Sequence, residues 1–162
     1  VNFRELAGAV AATVIAVGIG AATAAPASAT DNIKPIGDQI RVKDYQGNNL
    51  IGYTVTEFGP SSDAVAHNGQ LYAATLTVQT YGVEQNPQIQ RFGARAQSGD
   101  YYPVLFDAPG GFGGGQIGPD GSVTGKLYFD VVADAPNSVV YSDFLRDIMA
   151  WVPGQSNGGT QP

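Results

Sequence analysis

Few residues of this chain could do chemistry, and the densest signal is a run of glycine. Residues 113–118, GGGQIG, lie inside APGGFGGGQIGPDG (108–121) and satisfy G-x-G-x-x-G. In a dinucleotide-binding loop a strand feeds a tight glycine turn that opens directly into a helix, whose N-terminus then faces the pyrophosphate. Here YYPVLFD (101–107) supplies a strand, but the run leaves through Pro119 and the turn pair Asp120-Gly121. The next segment, SVTGKLYFDVVA (122–133), is rich in β-branched and aromatic residues, and no helix starts there. Asp134 stands about 20 residues past the first glycine, as the fingerprint asks, without the strand-turn-helix around it. The run reads as a long, mobile connection between strands, and no cofactor is assigned.

The other chemical candidates are single residues. His67 is the only histidine and sits in the turn AHNG, with no G-x-S-x-G elbow anywhere to provide a nucleophile. One histidine, no cysteine and no D-x-D-x-D-G loop leave no metal site to assign. Asp100, Asp107 and Asp120 fall at strand ends, where turn chemistry explains aspartate. Asp130 lies inside a strand, with the parity of Lys126 and Tyr128, and is expected on the wet face. A glycosidase needs two carboxylates across a cleft, and nothing in the pattern pairs Glu57 or Glu84 with another acid. No catalytic residue is assigned. Trp151 reads as a core or rim aromatic. Tyr101 and Tyr102 are adjacent on a strand, so one must face outward. Phe112 is the lone large apolar residue among the glycines before Ile117; it either folds back onto the domain or waits for a partner. Tyr101, Tyr102 and Phe112 form the candidate binding surface.

The elements that must position these residues are short strands. QIRVKDY (39–45) alternates with period two, and LIGYTVTEF (50–58) returns after the turn QGNN. LYAATLTVQTY (71–81), IQRFGARAQ (89–97), YYPVLFD (101–107), SVTGKLYFDVVA (122–133) and SVVYS (138–142) continue the series. Pro103 cannot donate to a ladder, which sends its strand to an edge or a bulge. LRDIMAWV (145–152) suits a strand or two helical turns equally. About eight strands between turn signals, with no convincing amphipathic helix, predict an antiparallel β-sandwich or barrel.

The chain of 162 residues carries a net charge of −6 and no cysteine. An acidic chain of this kind does not track a phosphate backbone, so nucleic acid is excluded as a partner. Residues 1–29 read as a signal peptide: Arg4, a long apolar stretch, then Ala27-Ser28-Ala29, with Ala27 and Ala29 as the A-x-A signal-peptidase site. Its length also leaves open an uncleaved membrane anchor; after cleavage no stable membrane insertion is expected. Residues 30–153 form the domain, and the polar residues 154–162 (GQSNGGTQP) a disordered tail.

The order of GDQIRVKDYQGNNLIGYTV (37–55), GQLYAATLTVQT (69–80), PQIQRFGARAQSGDYYPVLF (87–106), GKLYFDVV (125–132) and the terminal WVP (151–153) resembles the mycobacterial secreted immunogenic protein family. The resemblance spans about residues 36–153 and implies an immunoglobulin-like β-sandwich and a secreted, extracellular antigen. It implies no catalytic residue. The combined expectation is an all-β, immunoglobulin-like antiparallel sandwich without a disulfide, monomeric or weakly dimeric. It would act as a non-catalytic binding module that contacts a host protein or a cell-envelope component through loops or a sheet edge. Two alternatives are an envelope hydrolase, in which at least two of Asp100, Asp107, Asp120 and Asp130 meet in a pocket, and a membrane-anchored structural envelope protein.

Overall fold

The computed structural model describes residues 32–154. The expected signal peptide, with Ala27 and Ala29, and the tail beyond Gly154 lie outside the described residues. The strands are β1 (Asn32–Pro35), β2 (Gln39–Lys43), β3 (Asn49–Pro60), β4 (Gln70–Thr80), β5 (Phe92–Ala96), β6 (Tyr101–Pro103), β7 (Ser122–Val131), β8 (Pro136–Ser142) and β9 (Asp147–Val152). One 3-10 turn, Ile89–Arg91, precedes β5. They form two sheets, ordered β1-β9-β8-β5-β6 and β2-β3-β4-β7. This is the expected all-β, immunoglobulin-like sandwich, held together without a disulfide.

Alternation along the strands builds the core. Ile51, Tyr53 and Val55 of β3, Ala74, Leu76 and Val78 of β4, and Leu127, Phe129 and Val131 of β7 point to the sheet interface. They meet Phe92, Ala94, Val139, Tyr141, Met149 and Trp151 from the facing sheet. Each large apolar side chain so buried contributes about 1.5–3 kcal/mol relative to its exposed state. Trp151 is at the centre rather than a rim: it is fully buried, stacks on Phe92 at 6.1 Å, and donates its indole N–H to the Asp38 carbonyl at 3.0 Å.

Three features depart from the sequence pattern. β1 has no counterpart among the expected strands; it pairs parallel with β9, from Asn32 opposite Met149 to Pro35 opposite Val152, whereas the remaining strand pairs are antiparallel. The segment 145–152 is a strand that starts at Asp147. Leu145, which completes the helical stripe on paper, instead sits 93% exposed in the 143–146 turn. There the Asp143 carboxylate accepts the N–H groups of Leu145 and Arg146, and Phe144 takes a positive φ of 74°. Pro103 lies in β6, an edge strand, as its missing donor demands.

The glycine run is the third. No helix follows it; after the 118–121 turn the chain enters β7, antiparallel to β4. Rather than forming a free connection, the segment from Val104 runs along the outer edge of β7. Leu105 N–H donates to the Tyr128 carbonyl at 2.8 Å, Phe112 N–H to the Lys126 carbonyl at 2.6 Å, and Gln85 and Ile117 exchange a pair of backbone bonds. An edge strand that would otherwise offer unpaired groups to another chain is thereby covered. Phe112 is the anchor, 4% exposed, and it fits because residue 125 is glycine: a Cβ there would meet the Phe112 Cα and ring at 3.0 Å.

Candidate ligand cleft at the open side of the sandwich

With the edge of β7 covered by residues 104–112, the opposite side of the sandwich, flanked by β1 and β2, remains open. A cleft of about 480 Å³ enters there between the sheets. β2 contributes Ile40, Arg41 and Val42, and β3 contributes Ile51 and Tyr53. The facing sheet contributes Asn32, Tyr141, Ile148 and Met149. The roof is the loop that enters the 3-10 turn, with Gln85, Asn86, Gln88 and Arg91.

Local chemistry fixes that roof. The Asn86 side chain accepts the Gln88 N–H at 2.9 Å, Gln88 adopts a left-handed conformation (φ 53°), and Arg91 N–H closes the turn on the Gln88 carbonyl at 2.9 Å. From below, the Tyr53 hydroxyl donates to the Pro87 carbonyl at 3.2 Å. Tyr53 and Tyr141 lie with ring centroids 5.6 Å apart. Burial pushes both phenols above the ordinary tyrosine value, Tyr53 well above it, so both are neutral at physiological pH.

Two charged groups line the cleft, the exposed Arg41 and the half-buried Arg91, which is the more enclosed. The Arg91 guanidinium carbon sits 5.2 Å from the Phe144 ring centroid and 6.0 Å from that of Tyr141, and its buried Nε has no hydrogen-bond acceptor among the described residues. An unsatisfied buried donor costs about 1–3 kcal/mol, more when charged. No carboxylate lines the cleft. Asp143 is near enough to feel Arg91 but makes no ion pair with it; its carboxyl is held low mainly by the N–H groups of Arg146 and Leu145.

The other cations give this side its character. Arg95 pairs with Asp147, Lys126 with Asp63, and Arg146 with Asp143. Among the described residues Lys34, Arg41, Lys43 and Arg91 make no ion pair, and all four belong to β1, β2 or the cleft roof. Arg41 is held in place, donating to Gln39 Oε1 at 2.6 Å and lying 5.2 Å over the Tyr81 ring. In a chain of net charge −6, the cations without an ion pair among the described residues therefore gather on one side of the sandwich.

The residues singled out in the sequence are elsewhere. Tyr101 is 38% exposed, whereas Tyr102 and Phe112 are both 4% exposed and belong to the core. As contact residues Tyr102 and Phe112 are corrected: β6 alternation turns Tyr102 inward, its hydroxyl on the Asp134 carbonyl at 2.8 Å, and Phe112 folds back. Tyr101 packs its ring over the Gly93 backbone, 5.0 Å from the Arg95 guanidinium. Of the carboxylates, Asp100 accepts from Ser98 Oγ, Asp120 from Gly82 N–H, and Asp130 from Asn68 and Gly69. Asp107 is exposed beside a smaller hollow of about 380 Å³ lined by Val65 and residues 104–109. None of the four lines the large cleft, and no three His, Asp or Glu among the described residues gather as a metal-binding group would require. Tyr128 has the parity of Asp130, as expected, but its face is roofed by Val65, Leu71, Ala73 and Leu105, so it is buried. His67 is exposed, its Nδ1 2.7 Å from the Val65 carbonyl; Glu57 accepts from Thr75 Oγ1, and Glu84 lies exposed in its loop.

The cleft itself was not legible in advance. Its members come from five strands and one loop, and the only hint was negative: Arg41, Lys43 and Arg91 stand at positions without a helical or cross-strand acid to pair with.

A family model described as "Domain of unknown function (DUF1942)" matches residues 31–151. The chain is 29% identical over 123 residues to immunogenic protein MPB63 of Mycobacterium bovis, an alignment covering 73% of this chain and 77% of that protein. The same figures hold for immunogenic protein MPT63 of Mycobacterium tuberculosis. The crystal structure of MPT63, described as a secreted protein from Mycobacterium tuberculosis, superposes with a TM-score of 0.70 at 28% identity, over 78% of this chain and 100% of that one.

Proposed function

The chain belongs to the DUF1942 domain family, and on that premise we propose that it is an exported, non-catalytic binding module that contacts a cell-envelope component through the open side of its sandwich. Its relatives MPB63 and MPT63 are named as immunogenic proteins and MPT63 is described as secreted, which supports reading this chain as an antigen-like protein. Among the described residues no helix is long and apolar enough to cross a membrane.

One observation carries the reading. Among the described residues the cations without an ion pair are Lys34, Arg41, Lys43 and Arg91; Arg41 and Arg91 line the cleft, Lys34 and Lys43 lie on the β1 and β2 strands that flank it, and no carboxylate lines it. A cluster of one sign beside an apolar opening raises the local concentration of anionic partners and speeds their docking. β2 also leaves its outer edge unpaired, so the same opening offers a backbone ladder to an extended partner.

The test is adhesion of the purified protein to isolated cell envelope, compared with a Lys34→Glu/Arg41→Glu/Lys43→Glu variant. All three positions are exposed, so the fold should survive. Binding should fall at least tenfold and the parent's binding should weaken as salt rises. Adhesion equal in both proteins and indifferent to salt would remove the open side from the mechanism.

A further inference from the structure

We propose that the cleft is a site for an amphiphilic carboxylate, a single acyl chain whose head group sits on Arg91. This rests on the reading of the open side as the contact region and gives it a ligand chemistry.

Shape and lining come first. A volume of about 480 Å³ falls within the roughly 300–1,000 Å³ typical of small-molecule sites, which combine an apolar wall with a few convergent polar groups. The wall here is Ile40, Ile51, Ile148 and Met149. A peptide laid along it would bury backbone N–H and C=O groups against aliphatic carbon, which is unfavourable; an acyl chain has none to satisfy.

The head group follows from Arg91. Its position is fixed by the 3-10 turn and by the rings of Phe144 and Tyr141, and its Nε lacks an acceptor among the described residues. A guanidinium offers a planar fork that a carboxylate matches with two parallel bonds. A phosphate monoester, with up to two negative charges, would want a second cation within the walls, but Arg41 is tethered to Gln39 and Tyr81. One fork inside, with the other cations at the rim, suits a single carboxylate drawn in from an anionic surface.

The probe is dodecanoate below its micellar concentration, titrated calorimetrically into the purified protein and compared with dodecanol and dodecyl phosphate. Dodecanoate should bind with a stoichiometry of one, and dodecanol about ten- to a hundredfold more weakly, the value of a hydrogen-bonded charge. Dodecyl phosphate should not exceed dodecanoate. Arg91→Gln should bring dodecanoate down to the dodecanol level, Arg91→Lys should leave an intermediate affinity because the charge stays but the fork is lost, and Ile148→Trp should block both ligands by filling the cleft. If Arg91→Gln fails to fold, the comparison of the three ligands on the unaltered protein decides alone. Equal affinity for acid and alcohol, absence of binding, or tighter binding of the phosphate overturns the proposal. Envelope adhesion that still depends on Lys34, Arg41 and Lys43 while dodecanoate fails to bind would defeat the ligand class and leave the open-side reading standing; loss of both defeats both.

Discussion

Asp147 offers the sharpest test of how this sandwich is held without a disulfide. It is 2% exposed at the start of β9, and its two oxygens accept from Arg95 Nε at 2.5 Å and Nη2 at 2.8 Å. Arg95 reaches it from β5 and gives a further donor to the Gly99 carbonyl at 3.1 Å, tying β9 to the β5–β6 hairpin. Removing one member of such a pair strands the other charge, which costs about 3–5 kcal/mol. The Arg95 side chain is 17% exposed, so water screens part of that penalty and the lower end, about 3 kcal/mol, is expected for Asp147→Ala. At roughly 3–4 °C per kcal/mol for a domain of this size, the melting temperature should drop by about 10 °C. Replacing both partners, Arg95→Met with Asp147→Leu, should recover most of the loss, because an apolar pair leaves no charge unmatched. The assay is a double-mutant cycle by urea denaturation and thermal melting. A loss under about 1 kcal/mol for Asp147→Ala, the range of exposed pairs, would show that the link is a surface ornament and refute the reasoning.

Two further consequences concern the glycine run and acid. Phe112→Ala should cost about 3–5 kcal/mol as a core cavity, and Gly125→Ala about 1–3 kcal/mol, since a Cβ would press on the Phe112 backbone; both should increase aggregation by releasing the cover on β7, measured by denaturation and light scattering. The carboxyls of Asp44, Asp63, Asp130 and Asp143 are all held below the ordinary 3.8, Asp130 chiefly by the N–H groups of Asn68 and Gly69. A depressed folded-state value means that the stabilisation is present above the unfolded value and lost as pH falls through the folded one. Melting temperature should accordingly fall steadily below about pH 4, and Asp130→Asn should make that decline shallower; an unchanged slope would separate Asp130 from the acid response.

Strand positions in this chain are readable because each long strand carries a face that only burial explains. Ile51, Tyr53 and Val55, or Leu76 and Val78, fix their register, since a one-residue slip would carry the whole set to solvent. The elements that the pattern misses lack such a face. In β1 the only isoleucine, Ile33, is 55% exposed, so the strand exists because β9 presents an unpaired ladder to it. The helical alternative for 145–152 depended on Leu145, whose role is decided by an Asx turn three residues ahead of Arg146 rather than by hydrophobic spacing. Likewise the glycine run could be denied a nucleotide by its missing helix, but its attachment to β7 depends on the close approach that Gly125 permits, which is a property of a residue outside the run.

The site is harder to read for a reason that concerns charge rather than shape. Net charge describes the chain as acidic, and an acidic chain is a poor place to look for an anion site. Yet the sum hides an uneven pairing: the acids Asp63, Asp143 and Asp147 each hold a cation, while Asp44, Asp120 and Asp130 close turns or tie down loops through their own backbone partners. Those acids are committed locally, and their fields are screened within about 8 Å at physiological salt. The field a partner meets at the β1–β2 opening is therefore a local sum, of Lys34, Arg41, Lys43 and Arg91 against Asp38 and Asp44 beside them in the chain, and not the total. The pairing that creates this asymmetry joins residues far apart in sequence, as Asp63 to Lys126 and Arg95 to Asp147, so it becomes visible only when the sandwich closes.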